Sequence, residues 1–431
     1  MKRFGLLLVS ALLLGLASTH AQKYVGGDIS LLPTYEEHGA LYQDKDGKPI
    51  SDVLTFLKEQ GLNAMRVRLF VDPSLASDEA KEQGVCQDLE YVKALGKRIK
   101  DAGLQFMLDF HYSDTWADPS HQYFPESWLI WSWAPQQTVY NYTKDCLEQL
   151  VAAGATPDFI QTGNEISFGM LWGAVLNGQY EEDEQLGGGL KPNDNWSDYE
   201  DYHWDNFSEM LKSAVLACRE VCPDAKIIIH TEQCANNPTL DVAFFKHIEK
   251  YEVDYDIIGT SYYPYYKGPI SNLDKGLKKL ESNFPDKQIM VVETGCGYHY
   301  EVGDKDKQYY ALTYEGQRQF TEELVTTLNE HPKVTGLFWW FLEANEYGLD
   351  WATKRVTRNW YNASLFDNET GCALPALYEL KNFTNGGTGI QDIRTAEKKT
   401  DSWYNLDGRR LSGAPNQKGI YINHKKKKIV R

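Results

Sequence analysis

Apolar residues along the chain follow two rhythms that alternate from one end to the other. Short runs rich in Val, Ile and aromatic residues predict strands over Val25–Ser30, Ala64–Phe70, Gln105–His111, Asp158–Gly163, Lys226–His230, Asp256–Tyr262, Gln288–Glu293 and Thr335–Phe341. Between them the apolar spacing changes to three or four residues. Leu89, Val92, Leu95 and Ile99 share one helical face, with Asp88 as N-cap and Gly103 as the stop. Further helices are predicted over Ser51–Gln60, Gln136–Ala153, Asn206–Cys222, Leu240–Lys250, Asp274–Ser282, Thr313–Glu330 and Leu374–Asn382. Eight strands, each followed by a helix, predict an α/β fold: a single (β/α)8 TIM barrel over residues 22–384.

The long polar segments all follow strands, at the end where barrels of this kind build their active sites. They are Ser113–Pro135, Glu165–Trp204 and Ala344–Cys372, and the second contains an acidic, Gly-rich stretch expected to be a solvated surface insertion. After Thr384 the composition shifts to a linker and a short tail, residues 385–431, with β-like runs at YNL and GIYIN. The tail resembles C-terminal segments that serve sorting or anchoring on many exported bacterial proteins. At the other end, residues 1–21 read as a secretory leader, with two cations, an apolar run from Phe4 to Leu16 and small residues up to Ala21. No other apolar stretch is long enough to span a membrane. Export to the periplasm, cell surface or medium is therefore expected, with the mature protein a monomer.

Composition narrows the function. The chain has 431 residues, and its formal net charge of −17 argues against a nucleic-acid partner, because phosphate binding needs clustered Lys and Arg. The one basic run, Lys425–Lys428, lies in the tail. Seven cysteines at scattered spacing form no CxxC pair, so most are expected in the core. Twelve Trp and 27 Tyr suit either a large core or stacking on sugar rings.

Two glutamates stand at strand tips. FIQTGNEISFGMLW puts Asn164 and Glu165 at the end of the fourth strand, and QIMVVETGCGY puts Glu293 at the end of the seventh. Cleaving a glycosidic bond needs one carboxylic acid to protonate the leaving oxygen and one carboxylate across the anomeric carbon. The plainer reading of any glutamate is a helix cap or a lysine partner, but these two share one barrel mouth. Alternation in QFMLDFHYSDTWADP turns Asp109 and His111 inward, and NAMRVRLFVDP turns Arg66 and Arg68 inward by the same parity. An inward Arg beside a glutamate would hold it ionised; a purely structural salt bridge is the competing reading.

The stretches GGDISLLPTYEEHG, RVRLFVDP, LDFHYSDTWADPSHQ, YNYTKD, GNEISFGMLW, DIIGTSYYPYYKG, MVVETG and ASLFD resemble glycoside hydrolase family 53, the arabinogalactan endo-β-1,4-galactanases. The resemblance spans roughly Val25 to Phe383. It implies a retaining hydrolase acting on a β-1,4-galactan polysaccharide, with Glu165 as proton donor and Glu293 as nucleophile, their carboxyls about 5–5.5 Å apart. Glu165 should be held protonated before cleavage while Glu293 stays ionised. Asn164 should bond the sugar 2-hydroxyl, Arg66 and His111 should belong to the subsite of the cleaved unit, and Tyr263 should lie near the nucleophile. Trp116 and Trp340 are the expected sugar-stacking surfaces.

Two places depart from the family. Its YWEP becomes WWFLEAN, which loses the proline and moves the acid to Glu343. The loop where some bacterial members hold calcium reads GDKDKQ, with Asp304 and Asp306 but neither the His nor the Asn of that site. No metal or cofactor is required for the chemistry, and calcium is not favoured. A mannanase or glucanase on the same barrel, or a sugar-binding barrel without activity, are the rival readings.

Overall fold

The computed structural model describes residues 21–131, 134–176, 179–182, 188–190, 203–299, 308–350, 356–357, 361–384, 404–405, 419–423 and 426–430. The expected leader, except for Ala21, and Asp304 and Asp306 of the loop expected to lack calcium lie outside these residues.

The eight strand-forming runs are β1 (Tyr24–Asp28), β2 (Ala64–Leu69), β3 (Gln105–Phe110), β4 (Phe159–Thr162), β5 (Lys226–Thr231), β6 (Ile257–Tyr262), β7 (Gln288–Thr294) and β8 (Val334–Trp339). They close into one parallel barrel in the order β1-β8-β7-β6-β5-β4-β3-β2. The helices that follow them are α1 (Val53–Glu59), α2 (Leu89–Asp101), α3 (Pro135–Ala152), α4 (Trp204–Val221), α5 (Pro238–Lys250), α6 (Ile270–Asn283), α7 (Tyr314–Asn329) and α8 (Pro375–Leu380). The sequence pattern and the fold agree to within a few residues at most ends.

Local chemistry explains these elements. At α2 the Asp88 carboxylate accepts from Tyr91 N–H at 2.8 Å, Val92, Leu95 and Ile99 are buried, and Gly103 turns the chain at φ +70°. Each such apolar side chain contributes about 1.5–3 kcal/mol by leaving water. The strands serve two cores by alternation. Met65, Val67, Phe106, Leu108, Ile229 and Val291 face outward and pack with the helices. Ala64, Met107, Phe159, Ile228, Ile257, Met290, Val292 and Phe338 form a separate apolar cluster inside the barrel.

One expectation changes. The insertion after β4 is not wholly solvated: Gly173–Leu176 pairs with Gln179–Glu182, and Leu190 is buried in the outer core with its N–H bonded to Phe168 O. Gly188 and Gly189 of its Gly-rich stretch pair as well, with Met170 and Gly169. All seven cysteines are free thiols, five of them buried. The chain divides into a unit ending at Thr384 and a second from Asn385. In the second, β9 (Tyr404–Asn405), β10 (Gly419–Asn423) and β11 (Lys426–Val430) form an antiparallel sheet with β10 central. The basic run, read from the sequence as charge alone, supplies β11, whose backbone pairs along GIYIN.

Candidate active site

Above the inner apolar cluster the inward positions become polar. Asp28 on β1, Arg66 on β2, Asp109 on β3, Gln161 on β4, His230 on β5 and Ser261 on β6 are all fully buried. Arg66 is the hub of this layer. Its Nη1 lies 2.9 Å from Asp28, its Nη2 lies 2.7 Å from Asp109 and 2.8 Å from Glu293, and its Nε donates to Gln161 at 3.0 Å. Burial opposes the guanidinium charge, but Asp109, Glu293 and Asp28 raise its pKa. Burial likewise works to raise Asp109, yet Arg66 and His111 outweigh it and hold that carboxyl at about 2.

The two glutamates reach the mouth by different backbone devices. At the end of β4, Gly163 adopts φ +103° and Glu165 φ +48°. A Cβ on Gly163 would stand 2.8 Å from Ile166 Cγ2, so the turn requires glycine. Glu165 occupies a left-handed conformation that costs of order 1–2 kcal/mol and is found at functional turns. On β7 the register slips: Val291 pairs with Thr260, but Glu293 pairs with Ser261. The extra residue, Val292, points into the inner core, and the bulge also lets Glu293 face inward at the next position.

A cleft of about 700 Å³ opens over this layer, lined by Trp116, Asn164, Glu165, Tyr263, Glu293 and Trp340 among others. Six of the eight expected site residues therefore meet on one surface. Arg66 and His111, expected in the subsite itself, lie beneath it, 0% and 2% exposed, and do not line the cleft. Trp116 lies over His111, their ring centroids 5.9 Å apart, and Arg66 is enclosed by carboxylates. His111 Nδ1 accepts from Ala117 N–H at 3.0 Å and its Nε2 lies 3.1 Å from Asp109. Burial lowers its pKa, so the ring is neutral.

Asn164 is held on both sides of its amide. Its oxygen accepts from Arg66 at 3.0 Å and its nitrogen donates to Ala117 O at 2.7 Å. Tyr263, directly after β6, donates to Glu293 Oε2 at 3.1 Å. Burial pushes both glutamates up, Glu165 to about 7; Glu293 is raised further by Glu165 but pulled back down by Arg66. One proton shared by the pair near neutral pH is the consequence. Arg66 and Tyr263 both favour the charged form of Glu293, whereas no cation lies within ion-pair distance of Glu165 among the described residues. That contrast puts the proton on Glu165.

Sequence reasoning missed several members of this site. Asp28, Gln161 and His230 were legible from strand parity, as Asp109 was. Glu232, just beyond β5, lines the cleft, accepts from Ser167 at 2.7 Å and from Gln233, and raises Glu165 second only to burial. Only its spatial proximity reveals it. Glu343, the displaced acid of WWFLEAN, is fully buried and accepts from Leu31 N–H at 2.7 Å, so it braces the segment after β1 and does not line the cleft.

The model of glycosyl hydrolase family 53 matches residues 24–380. A relative from Neosartorya fischeri, named a probable arabinogalactan endo-β-1,4-galactanase A, is 31% identical over 74% of this chain and 83% of its own length. An arabinogalactan endo-β-1,4-galactanase from Humicola insolens is 30% identical over 74% of this chain and 89% of its own. Among solved structures, the Ignisphaera aggregans GH53 catalytic domain superposes with a TM-score of 0.71 at 29% identity, covering 84% of this chain and 96% of that one.

Proposed function

The chain belongs to glycosyl hydrolase family 53, and from that premise we propose that it is an endo-acting β-1,4-galactanase that cleaves with retention by double displacement. The carrying observation is the unequal surroundings of the two cleft glutamates. Glu293, held by Arg66 at 2.8 Å and Tyr263 at 3.1 Å, is the ionised group that attacks the anomeric carbon. Glu165, raised toward neutrality, gives its proton to the departing glycosidic oxygen. A water then attacks the galactosyl–Glu293 ester while Glu165 takes up the water's proton, and Glu293 leaves as carboxylate. Asn164, fixed by Arg66 and Ala117, is positioned to bond the sugar 2-hydroxyl through its remaining amide hydrogen. Trp116 and Trp340 offer ring faces to the sugar chain.

The leader pattern supports an exported enzyme acting on a polysaccharide outside the cytoplasm. No described helix is long and apolar enough to cross a membrane. The test is product release from purified β-1,4-galactan beside mannan and cellulose, with proton NMR of the first anomer formed. Shortening oligosaccharides of β configuration from galactan alone are expected. Release only from mannan or cellulose, or of the α anomer first, would sink the proposal.

A further inference from the structure

Strand alternation puts a second cation on the inner face of β2, two residues beyond Arg66. Arg68 is fully buried, and its ion-pair contact to Asp28 is long, at 3.4 Å. None of its three guanidinium nitrogens has a hydrogen-bond partner among the described residues. A guanidinium carries five donors, and burying them unsatisfied is costly unless something else favours the charge. Asp28 and the nearby Glu343 favour it electrostatically, and three aromatic rings enclose it. The guanidinium carbon stands 4.7 Å from the centroid of Trp116, 4.7 Å from that of Trp340 and 4.8 Å from that of Phe341.

These rings come from two separate parts of the barrel. Trp116 belongs to the segment after β3, and Trp340 and Phe341 directly follow β8. In the closed sheet β8, β1, β2 and β3 are consecutive, so the two segments face each other across β1 and β2. Arg68 fills the space between them. The two indoles meet with centroids 6.0 Å apart at 56°, and both line the cleft. Trp116 Nε1 has no hydrogen-bond partner among the described residues, so packing alone sets the plane of that ring: Arg68, the edge of Phe70 at 5.6 Å, and its other ring neighbours.

We propose that Arg68 is a positioning residue that ties Trp116 and Trp340 into one aromatic floor, and thereby sets affinity for the sugar chain without taking part in bond cleavage. The proposal rests on the reading of these tryptophans as sugar platforms. Arg66 separates it from a role in the chemistry: Arg66 already holds Asp28 at 2.9 Å and Glu293 at 2.8 Å, so loss of Arg68 leaves the nucleophile its own cation.

The test is steady-state kinetics of Arg68→Met and Arg68→Lys on soluble β-1,4-galactan, with galactotetraose titrated into each variant in a Glu293→Gln background and followed by tryptophan emission. Arg68→Met should raise KM about tenfold and Arg68→Lys, which keeps the charge but not the planar face, about threefold. In both, kcat should stay within about twofold and the pH profile should not move. The emission change on titration should shift to proportionately higher galactotetraose. A fall in kcat at unchanged KM, or a displaced pH profile, would overturn the proposal by making Arg68 part of the carboxylate network. Unchanged KM and unchanged titration would overturn it by reducing Arg68 to a structural filler. Should Arg68→Met fail to fold, the KM of Arg68→Lys decides alone. A wild type inert on galactan would instead remove the functional reading beneath the proposal.

Discussion

The same eight strands line two interiors that differ in kind. At the lower end of the barrel, Ala64, Met107, Phe159, Ile228, Ile257, Met290, Val292 and Phe338 fill the space with apolar side chains. Two residues further along many of these strands stand Arg66, Asp109, Gln161 and His230, every one buried and tied to a neighbour. The lower layer stabilises by burial, and its members are exchangeable for others of the same volume. The upper layer must satisfy each charge it buries, so a single loss leaves a partner exposed to the full cost of desolvation. One strand thus carries stability at its start and chemistry at its end, which lets the two be changed separately.

The sharpest test of that separation is Glu165→Gln. Cleavage of galactan should fall about 10²–10⁴-fold with thermal stability unchanged or improved, because the variant removes a general acid and leaves in its place a neutral group of the same size that cannot ionise in a buried site. The wild type should lose activity as pH rises through about 7, when Glu165 gives up its proton, and that alkaline limb should vanish in the variant. Loss of folding in Glu165→Gln would contradict the comparison.

Met290→Ala is the converse. Removing this lower-layer side chain, packed against Gly336, should cost about 2–5 kcal/mol in denaturant unfolding while kcat per folded molecule is nearly kept. A large drop in kcat would show that the two layers are coupled after all.

Asp109→Asn probes the upper layer's contribution to stability. Its folded pKa is depressed to about 2, so its stabilisation is present above the unfolded value near 3.9 and lost as pH falls through about 2. The variant should be less stable by about 2 kcal/mol at pH 7 and equal to wild type near pH 2. A pH-independent difference would mean that packing, not charge, was lost.

The smallest effect sharpens the comparison with a buried carboxyl that has no arginine. Asp241 on α5 accepts from Thr231 at 2.8 Å, its other oxygen has no partner among the described residues, and burial pushes it up to about 7. A raised carboxyl destabilises above its unfolded value and most strongly above its folded one. Asp241→Asn should therefore gain about 1–2 kcal/mol at pH 8 and nothing at pH 4. Destabilisation at pH 8 would refute the reading.

Much of this was legible in the residues themselves. Alternating periods of two and 3.6 specify eight strand and helix units, since each period is what buries one face of that element. The Gly163–Asn164–Glu165 turn is local too, because the side chain that excludes a Cβ at Gly163 is Ile166, three residues away. Parity alone turned Arg66, Arg68 and Asp109 inward. It could not turn Glu293 inward together with Met290 and Val292, because a one-residue bulge against β6 exists only once the strands have paired. Nor could it separate lining residues from those beneath: Arg66 and His111 look like subsite residues until Trp116 and the carboxylates close over them. Glu232 in the cleft wall and Arg68 among three aromatic rings depend on loops far apart in sequence meeting at the mouth. The sequence determined the barrel and its two cleft glutamates, since period and turn chemistry act over a few residues. Which glutamate is held charged, and what floor lies beside it, were decided by tertiary structure, because burial and charge act between residues that only the closed barrel brings within a few ångströms.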